Sequence, residues 1–452
     1  MKVVLINPPG KTSFITPPLG LMYIVSSLKR AGKEPVILDF MLDNFSEDFL
    51  FEKIKDAKYI GISAVTPLIS SALSLAELIK KKFPEKIIIL GGPHASLLPK
   101  ETLEAGKDVD YIIKGEGEER IVSLIDYLEG KKNQEELDGI VFRKGEEIID
   151  LSLIKTIENL DNLPFPDREL IPFEKYSQNL DSQRKPACTM ITSRGCPFSC
   201  IYCSKPIFGK RLRQRSPENI IEEIEYLKEK YKVKEIIFYD DSFTINKEQT
   251  IKLCQLIIDK KIDISFKCET RVNLVDKDLL LLMKKAGCYL LGFGIESGSQ
   301  RVLDILKKGI TIEQVKEAVK ITKEAGIDVL GYFMIGVPGE TEQEIKKTID
   351  FSKELNLDYA QFSIATAYPG TELYQISKDR VGSDWSKSFY ALGEKQSVSL
   401  SGVEAEKLNY YLKKAYYSFY FRPSFIFNKI KRINSFSTLK HYLRGLGKIL
   451  KA

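Results

Sequence analysis

The chain has 452 residues, of which 43% are hydrophobic and 29% charged, and its net charge is +6. The length predicts two or three domains, and the composition excludes a disordered or fibrous protein. No run of about 18 apolar residues occurs, which argues against a transmembrane helix, and the Met1–Pro8 start is too short for a signal peptide. Seven cysteines, three of them clustered, fit a reducing compartment better than a disulfide framework. We therefore expect a cytoplasmic protein.

Residues 1–135 alternate short apolar stretches with amphipathic ones, a pattern typical of strands followed by helices. This alternation predicts an α/β domain with a doubly wound parallel sheet that is covered by helices on both faces. Ligands of such sheets bind at the carboxyl ends of the strands. Strands are predicted at Lys2–Ile6, Glu34–Asp39, Tyr59–Ser63, Ile87–Leu90 and Tyr111–Ile113, and helices at Leu19–Arg30, Ser70–Lys82 and Glu118–Leu128.

Residues 136–186 are predicted to connect two domains. Two short β stretches, 139–143 and 146–150, flank a Lys-Gly turn and predict a hairpin. After the hairpin, Pro164, Pro166 and Pro172 predict an extended linker.

From residue 187 to residue 375 the alternation resumes with longer helices. Six strand–helix units predict a partial (β/α)6 barrel, and chemistry in such barrels gathers at the carboxyl ends of the strands. The first strand leads directly into the segment Cys196-Pro-Phe-Ser-Cys200-Ile-Tyr-Cys203. The strands are predicted at Cys188–Thr192, Glu235–Tyr239, Ile264–Thr270, Leu290–Glu296, Asp328–Met334 and Tyr359–Ala365.

The three cysteines Cys196, Cys200 and Cys203 are separated by three residues and then by two. A four-iron cluster normally takes four thiolates, so three close thiolates leave one iron open to a ligand that is not protein. A zinc site, the main alternative, needs a fourth Cys or a His. The chain offers His94 and His441, both distant in sequence, so we favour the iron–sulfur cluster over zinc and over purely structural thiols.

The Cys-x3-Cys-x2-Cys spacing, with Tyr202 before the last cysteine, resembles the signature of the radical S-adenosylmethionine (SAM) enzymes. The resemblance implies a [4Fe–4S] cluster whose open iron is chelated by the amino and carboxylate groups of SAM. It also implies a flavodoxin- or ferredoxin-like electron donor, whose electron cleaves SAM into methionine and a 5′-deoxyadenosyl radical. That radical takes a hydrogen atom from the substrate, while the protein positions the cofactors.

By the same resemblance, SAM contacts are expected at the ends of successive predicted strands. Tyr202 would pack on the adenine, Arg271 would hold the SAM carboxylate, and Glu296 would accept from the amine or the ribose. Asp241 is a further expected contact, and Gly336 would let the backbone approach the adenine. The alternative is that the charged residues are loop carboxylates and a surface salt bridge. Their joint placement at strand ends favours the site.

The four other cysteines, Cys188, Cys254, Cys268 and Cys288, are expected to be small buried residues. Cys268 stands near a strand end, so we expect its side chain to point toward the cluster. A catalytic role for Cys268 is the less favoured alternative.

The N-terminal domain resembles the cobalamin-binding domain that precedes the barrel in one large radical SAM subfamily. The resemblance rests on Pro17–Leu21, Gly61–Ser63 with Thr66, Gly91–His94 and Asp110–Glu118. It implies cobalamin contacts from Pro18, Leu19, Ser63, Thr66, Gly91, Gly92, His94, Gly115 and Glu116. The second strand ends in Asp39–Asp43, which lacks the cobalt-ligating His of methionine synthase-type domains, so we expect no histidine ligand from that loop. A domain that has lost cobalamin, and an ordinary loop histidine at position 94, are the alternatives.

The positive charge is concentrated at the C-terminal end. Residues 407–452 hold eleven Lys or Arg, eleven aromatic residues and no Asp or Glu. A helical cap on the barrel with solvated charges is the favoured interpretation. Peripheral contact with an anionic membrane surface comes second and would point to a membrane-associated enzyme with a lipid or other hydrophobic substrate. Nucleic-acid binding is the least favoured interpretation.

Together these patterns predict four regions: a cobalamin-binding-like domain (1–135), a linker (136–186), a radical SAM barrel (187–375) and a basic, aromatic segment (376–452). By resemblance, the commonest activity of this subfamily is methyl transfer from methylcobalamin to an unactivated carbon. The alternatives are a non-methylating radical reaction, such as the ring closure of the anaerobic magnesium-protoporphyrin cyclases, and a non-catalytic cobalamin or redox sensor. A methylthiotransferase is disfavoured, because the N-terminal domain of that family carries three cysteines and residues 1–187 here contain none.

Overall fold

The computed structural model describes residues 1–10, 15–152, 155–381, 385, 397–423 and 425–427. These residues form two compact units. The first unit contains the described residues up to Pro197, those from Ser204 to Val233, and Trp385. The second unit contains Phe198–Cys203 and the described residues from Lys234 onward other than Trp385.

The first unit contains a seven-stranded sheet. Its strands are β1 (Lys2–Asn7), β2 (Glu34–Asp39), β3 (Tyr59–Ser63), β4 (Ile87–Gly91), β5 (Tyr111–Ile113), β6 (Ile140–Lys144) and β7 (Glu147–Asp150). Their order is β2-β1-β3-β4-β5-β6-β7, with β1 to β5 parallel and β6 and β7 antiparallel. The predicted parallel sheet is confirmed, and the predicted hairpin extends it beyond β5.

Helices cover both faces of this sheet. They are α1 (Leu19–Arg30), α2 (Glu47–Ile54), α3 (Ile69–Lys82), α4 (Pro93–Leu97), α5 (Pro99–Ala105) and α6 (Glu118–Leu128). Side chains alternate across a strand, so Val4 and Ile6 of β1 enter one core cluster and Val3 and Leu5 enter the other. All four are at most 1% exposed, and each buried side chain of this size contributes about 1.5–3 kcal/mol.

A connecting region follows the sheet. It contains α7 (Phe173–Asn179), β8 (Ala187–Met190), β9 (Ser193–Arg194), β10 (Arg213–Gln214) and α8 (Pro217–Tyr231). A fully buried ion pair, Arg168 to Glu223 at 2.7 Å, fixes the proline-containing linker to α8, and Arg215 donates to the other oxygen of Glu223. Short 3₁₀ turns lie at Thr66–Leu68, Gln134–Glu136, Leu160–Asn162, Val272–Leu274 and Lys378–Arg380.

The second sheet has six strands, in the order β15-β14-β13-β12-β11-β8. Its later strands are parallel to one another: β11 (Glu235–Phe238), β12 (Ser265–Thr270), β13 (Cys288–Glu296), β14 (Asp328–Ile335) and β15 (Tyr359–Ile364). The predicted six-stranded partial barrel is confirmed. Its helices are α9 (Lys247–Asp259), α10 (Lys277–Lys285), α11 (Gln300–Ile305), α12 (Ile312–Glu324), α13 (Glu342–Glu354), α14 (Glu372–Ile376) and α15 (Ala405–Tyr420).

The last two strands alternate strictly between buried and half-exposed residues. The buried face packs on the helices, as in the stacked pair Phe333 and Phe362, whose ring centroids lie 5.2 Å apart. The other face, the inner face of the partial barrel, carries side chains that solvent reaches. The predicted SAM contacts Arg271, Glu296 and Gly336 lie just after β12, at the end of β13 and just after β14.

Helix α15 covers the outer edge of β15. The Tyr416 hydroxyl donates to the Phe362 carbonyl at 3.0 Å and accepts from its N–H at 3.1 Å. The Tyr420 hydroxyl makes the same two bonds to Ala360, at 2.7 and 3.1 Å. The described part of the aromatic segment is therefore a helical cap, as the favoured interpretation predicted.

The remainder of that segment, residues 428–452, lies outside the described residues, as does His441. Within the described part of the chain, no helix is long and apolar enough to cross a membrane.

Candidate active site

A buried charge cluster holds the segment before the first motif cysteine. Arg194 donates to Glu116 and to Glu118, at 2.6 Å each, and Arg213 donates to the second oxygen of Glu116 at 2.8 Å. The four side chains are at most 6% exposed. Because buried charges are tolerated when they are paired and hydrogen-bonded, this geometry fixes the chain two residues before Cys196.

Cys196 itself is anchored through its backbone and is 8% exposed. Its N–H donates to the Gly209 carbonyl at 3.3 Å, and its carbonyl accepts from Lys205 Nζ at 2.7 Å. The preceding Gly195 has φ +88°, and a Cβ there would lie 2.2 Å from the Arg211 carbonyl oxygen. Glycine is therefore required at the turn into the cysteine segment.

The other two motif cysteines are half-exposed. The Cys203 N–H donates to the Cys200 carbonyl at 3.1 Å, which forms a tight turn. Arg271, just after β12, brings Nη1 to 3.6 Å from Cys200 Sγ, and its guanidinium lies 3.7 Å from the centroid of the Phe198 ring. One predicted SAM contact, Arg271, therefore lies beside a predicted cluster ligand.

All seven cysteines are free thiols. Across the described residues, no three His, Cys, Asp or Glu side chains already stand in an arrangement that could hold a metal ion. The cluster role of Cys196, Cys200 and Cys203 therefore stays a prediction from their spacing.

Two further predicted SAM contacts meet in one hydrogen-bonded group. The Tyr202 hydroxyl donates to Glu296 Oε1 at 2.8 Å. Lys308 Nζ donates to the same carboxylate oxygen at 2.8 Å and to the Tyr202 hydroxyl at 3.0 Å. Glu296 and Lys308 are 7% and 6% exposed. Burial, and next the Glu296 carboxylate, raise the pKa of Tyr202 well above its usual range, so its hydroxyl keeps its proton.

Lys308 was missed in the sequence, because two adjacent lysines after a helix are usually solvated. It also accepts a hydrogen bond at its carbonyl oxygen from Arg271. Lys308 therefore joins Arg271, Tyr202 and Glu296. The sequence offered only an indirect signal for Lys308: a Glu296 that is buried at a strand end requires a cationic partner.

The backbone at Glu296 is strained. Glu296 has φ +67°, and β13 carries a bulge between Gly294 and Glu296. A Cβ at Gly294 would lie 2.7 Å from both Glu296 Oε1 and Lys308 Nζ, so glycine leaves room for the ion pair. A left-handed conformation at a non-glycine residue costs of order 1 kcal/mol and is common at functional sites.

The loop after β14 carries Gly336, which has φ +82°. The Gly336 and Val337 N–H groups donate to Glu340 Oε2 at 2.6 and 3.1 Å. Burial raises the pKa of Glu340 to about 7. Glu340 thus fixes the loop on which the backbone approach to adenine is expected.

The expectations for Asp241 and Cys268 have different outcomes. Asp241 is exposed just beyond β11, and its SAM contact stays a prediction. The prediction that Cys268 points toward the cluster is wrong. Cys268 is 3% exposed and lies beside Cys288 and Cys254 of α9, and burial raises the pKa of its thiol well above the usual value. Cys188 is buried as well, so the expectation of four buried thiols is confirmed.

In the first unit, three predicted cobalamin loops meet at the carboxyl edge of the sheet. The Ala64 N–H donates to the Gly91 carbonyl at 3.0 Å. Gly92 has φ +93°, and a Cβ there would lie 2.8 Å from the Ala64 carbonyl oxygen. Ser63 ends β3, while the Gly115 N–H donates to Ser96 Oγ at 2.9 Å. The loops after β3, β4 and β5 are thus gathered at one edge.

His94 is buried and forms a 3.3 Å hydrogen bond between Nδ1 and Thr66 Oγ1. Its ring packs edge-on against Trp385, with centroids 6.0 Å apart. Burial lowers the pKa of His94 to about 4, so the ring is neutral at pH 7.

The remaining predicted cobalamin contacts lie elsewhere in this unit. Pro18 precedes α1, and Leu19, its first residue, is 8% exposed within the core. Glu116 uses both carboxylate oxygens in the charge cluster and accepts from the Ile157 N–H at 2.8 Å. Its side chain is therefore already committed within the protein.

Comparison with known proteins identifies both regions. Residues 190–352 match the family model of the radical SAM superfamily, and residues 10–125 match that of the B12 binding domain. An uncharacterized methyltransferase of Pyrococcus horikoshii is 35% identical over 99% of this chain and 98% of its own length. The chain belongs to the radical SAM superfamily. This radical SAM protein is also 30% identical to the anaerobic magnesium-protoporphyrin IX monomethyl ester cyclase of Cereibacter sphaeroides, over 90% of the chain and 69% of the relative.

Solved structures share the fold of this radical SAM protein. The radical SAM methyltransferase TsrM of Kitasatospora setae, with cobalamin and a [4Fe–4S] cluster bound, superposes with a TM-score of 0.70 at 18% identity. The superposition covers 84% of this chain and 75% of TsrM. The predicted SAM and cluster residues, and Lys308, all lie within the radical SAM match.

Proposed function

We propose that this protein is a cobalamin-dependent radical SAM methyltransferase that methylates an unactivated carbon. One observation carries the proposal. The segment Cys200–Cys203 lies against residues from later strand ends, through Arg271 at 3.6 Å from Cys200 Sγ and Glu296 at 2.8 Å from the Tyr202 hydroxyl. The methyltransferase relative, which matches along its whole length, supports the reaction class.

When bound, the cluster, SAM and cobalamin supply a 5′-deoxyadenosyl radical and a methyl group. Cys196, Cys200 and Cys203 would hold the cluster, and three free thiols are the donor set that such a cluster takes. The Arg271 guanidinium would bind the SAM carboxylate. The Lys308 ammonium orients Glu296 through one carboxylate oxygen, so that the second carboxylate oxygen can accept from the SAM amine or ribose.

Cobalamin would be held at the carboxyl edge of the first sheet. Gly91 and Gly92 give the loop after β4 a backbone without side chains, which suits close approach of a large planar ligand. Ser63, Thr66 and Gly115 lie on the neighbouring loops. The neutral His94 ring is bonded to Thr66, so we expect it to support the loop rather than to ligate cobalt.

The test is spectroscopic. The full chain is reconstituted anaerobically with iron and sulfide and reduced, and its paramagnetic resonance spectrum is recorded with and without SAM. We expect a [4Fe–4S] signal that SAM alters. Cys196→Ala, Cys200→Ala and Cys203→Ala should each lose it, whereas Cys254→Ala, which removes a buried thiol, should keep it. A full cluster that survives all three motif substitutions would refute the proposal.

A non-methylating radical reaction is the second candidate, because the cyclase relative is 30% identical over 90% of the chain. The two candidates differ in their products. Methyl transfer releases S-adenosylhomocysteine together with 5′-deoxyadenosine, whereas cyclisation releases no S-adenosylhomocysteine.

The proposal includes two interaction partners, an electron-donor protein and an anionic membrane surface. A flavodoxin- or ferredoxin-like protein would deliver the electron. Membrane contact through residues 428–452 is tested by co-sedimentation of the full chain with anionic vesicles, against a chain that ends at Phe427. Binding that is lost on truncation supports it, and absence of binding at low salt rejects it.

A further inference from the structure

The inner face of the second sheet carries polar side chains that the proposed SAM site does not use. Tyr332 of β14 and Gln361 of β15 are directly paired neighbours in the strand register. Both are half-exposed, whereas the adjacent Phe333 and Phe362 are buried against the helices. Because side chains alternate across a strand, Tyr332 and Gln361 project from the inner face.

Tyr332 reaches across β13 to a carboxylate on β12. Its hydroxyl donates to Glu269 Oε1. Gly292 of β13 lies beneath the pair, and a Cβ there would lie 3.0 Å from Glu269 Cγ and 3.1 Å from Tyr332 Cε2. The absence of a side chain at Gly292 therefore makes room for the contact between Glu269 and Tyr332.

This pair lies close to the predicted SAM contacts. Gly292 and Gly294 are two residues apart on β13, so their missing side chains would point to the same face, about 7 Å apart. The position above Gly294 is occupied by the Glu296–Lys308 ion pair, and the position above Gly292 by Glu269 and Tyr332. The two polar groups are therefore neighbours on the same face of β13, two residues apart along the strand.

Two polar side chains on the inner face, Glu269 and Gln361, have hydrogen-bonding groups available for a ligand. Among the described residues, Glu269 Oε2 receives no hydrogen bond, and the Gln361 side chain makes none. Glu269 is open to solvent on the inner face, so a substrate that covers it displaces water from its carboxylate. A carboxylate that loses water on ligand binding is stabilised by a donor that replaces that water.

We propose that Glu269, Tyr332 and Gln361 form the substrate subsite and take a polar substrate through an N–H or O–H group near the reacting carbon. The inference rests on the proposed function and adds the class of substrate. Glu269 Oε2 accepts from the substrate, the Gln361 amide accepts or donates, and the Tyr332 ring provides a flat apolar wall. A bare hydrocarbon would leave both polar groups desolvated without partners, at a cost of a few kcal/mol.

The experiment uses the full chain reconstituted with its cluster and loaded with SAM. Binding of benzylamine, benzyl alcohol and toluene, which share one ring and differ in their polar group, is measured by saturation-transfer NMR. We expect the amine and the alcohol to bind at least fivefold more tightly than toluene. A larger preference for the amine identifies a cationic nitrogen as the recognised group, and equal affinity identifies a neutral donor.

Matched variants locate the binding. Glu269→Met should weaken the binding of the amine and of the alcohol at least fivefold, and Gln361→Met should weaken it about threefold. Glu248→Met, at an exposed residue of α9, should leave the affinity for both probes unchanged. Three results would overturn the inference: toluene binding as tightly as the amine and the alcohol, no detectable binding of any probe, or binding that Glu269→Met does not change. The SAM-dependent cluster signal is recorded on the same samples. If that signal persists, only the substrate subsite is rejected, and if wild type lacks it, the proposed function fails as well.

Discussion

At the scale of single residues, the site is organised by buried charge. Lys308, Glu296 and Tyr202 share two hydrogen bonds of 2.8 Å and one of 3.0 Å. Removing one partner of a buried ion pair leaves the other charge buried without a partner. This typically lowers the free energy of unfolding by about 3–5 kcal/mol. These side chains therefore contribute to folding as well as to the proposed SAM site.

Lys308→Met tests this organisation. We expect the variant to lose about 3 kcal/mol of unfolding free energy, measured by anaerobic urea denaturation, because Glu296 remains buried without its cation. The double variant Lys308→Met/Glu296→Gln should recover at least half of that loss. The neighbouring Lys307 is 55% exposed and pairs with Glu372 at 2.6 Å, so Lys307→Met should cost less than about 1 kcal/mol. Equal losses for the two lysines would contradict this account.

Glu340 predicts a pH dependence. Burial raises the pKa of its carboxyl from 4.5 to about 7 in the folded protein. The folded state thus favours the protonated form, and the stability that this preference contributes is lost as pH rises from about 4.5 to about 7. The shift corresponds to roughly 3 kcal/mol.

Glu340→Gln removes that titration. Between pH 5 and pH 8 the stability of wild type should fall by about 3 kcal/mol relative to the variant, as measured by urea denaturation across pH. The exposed Glu354→Gln on α13 is the control and should follow wild type. Parallel curves for wild type and Glu340→Gln would contradict the burial of an ionisable group at this loop.

At the scale of elements, the geometry of α15 matches that of the strand edge it covers. Tyr416 and Tyr420 are four residues apart on the helix, a rise of about 6 Å, and their partners Phe362 and Ala360 are two residues apart on the strand, a span of about 6.7 Å. Each hydroxyl both donates and accepts. The helix thereby closes an edge that would otherwise be free to pair with another chain.

The double variant Tyr416→Phe/Tyr420→Phe should lose about 2–3 kcal/mol of stability and aggregate more readily, because it leaves four backbone groups of β15 without partners. Urea denaturation and light scattering measure the two effects. Tyr417→Phe, whose side chain is 40% exposed, is the control and should change stability by less than about 0.5 kcal/mol. A double variant that behaves like Tyr417→Phe would mean that α15 does not protect the edge.

The β9–β10 segment makes a comparable prediction about the cluster. Arg194→Met leaves Glu116 and Glu118 buried without this cation and frees the chain before Cys196. We expect iron and sulfide per chain after anaerobic reconstitution to fall at least twofold. Arg211→Met, at a 73% exposed side chain in the same region, should load normally. Normal loading of Arg194→Met would show that the charge cluster does not position the cysteine segment.

At the scale of the whole molecule, the order of strands and helices followed from local patterns. Strands such as Glu34–Asp39 and Tyr59–Ser63, and the helix Leu19–Arg30, have the predicted bounds, because apolar periodicity is a property of adjacent residues. Six strand–helix units likewise predicted the partial barrel.

Side-chain partners were less predictable, since they depend on packing between distant segments. The role of Lys308 depends on Tyr202, 106 residues away, and on Glu296, 12 residues away, and no spacing rule in the sequence predicts that these three side chains meet. The orientation of Cys268 depended on which strand face met α9. Glu116 was expected at cobalamin, yet its oxygens are taken by two arginines from the connecting region. The three motif cysteines were recognisable because their spacing is local.

The products formed from SAM test the proposed activity most directly. The full chain, reconstituted anaerobically with its cluster and cobalamin and strongly reduced, is incubated with SAM, and the SAM-derived products are quantified by mass spectrometry. We expect 5′-deoxyadenosine and S-adenosylhomocysteine from wild type, and loss of 5′-deoxyadenosine from Cys200→Ala. Intact SAM after incubation with a protein that carries a complete reduced cluster would contradict the proposed activity and would favour a sensor without turnover.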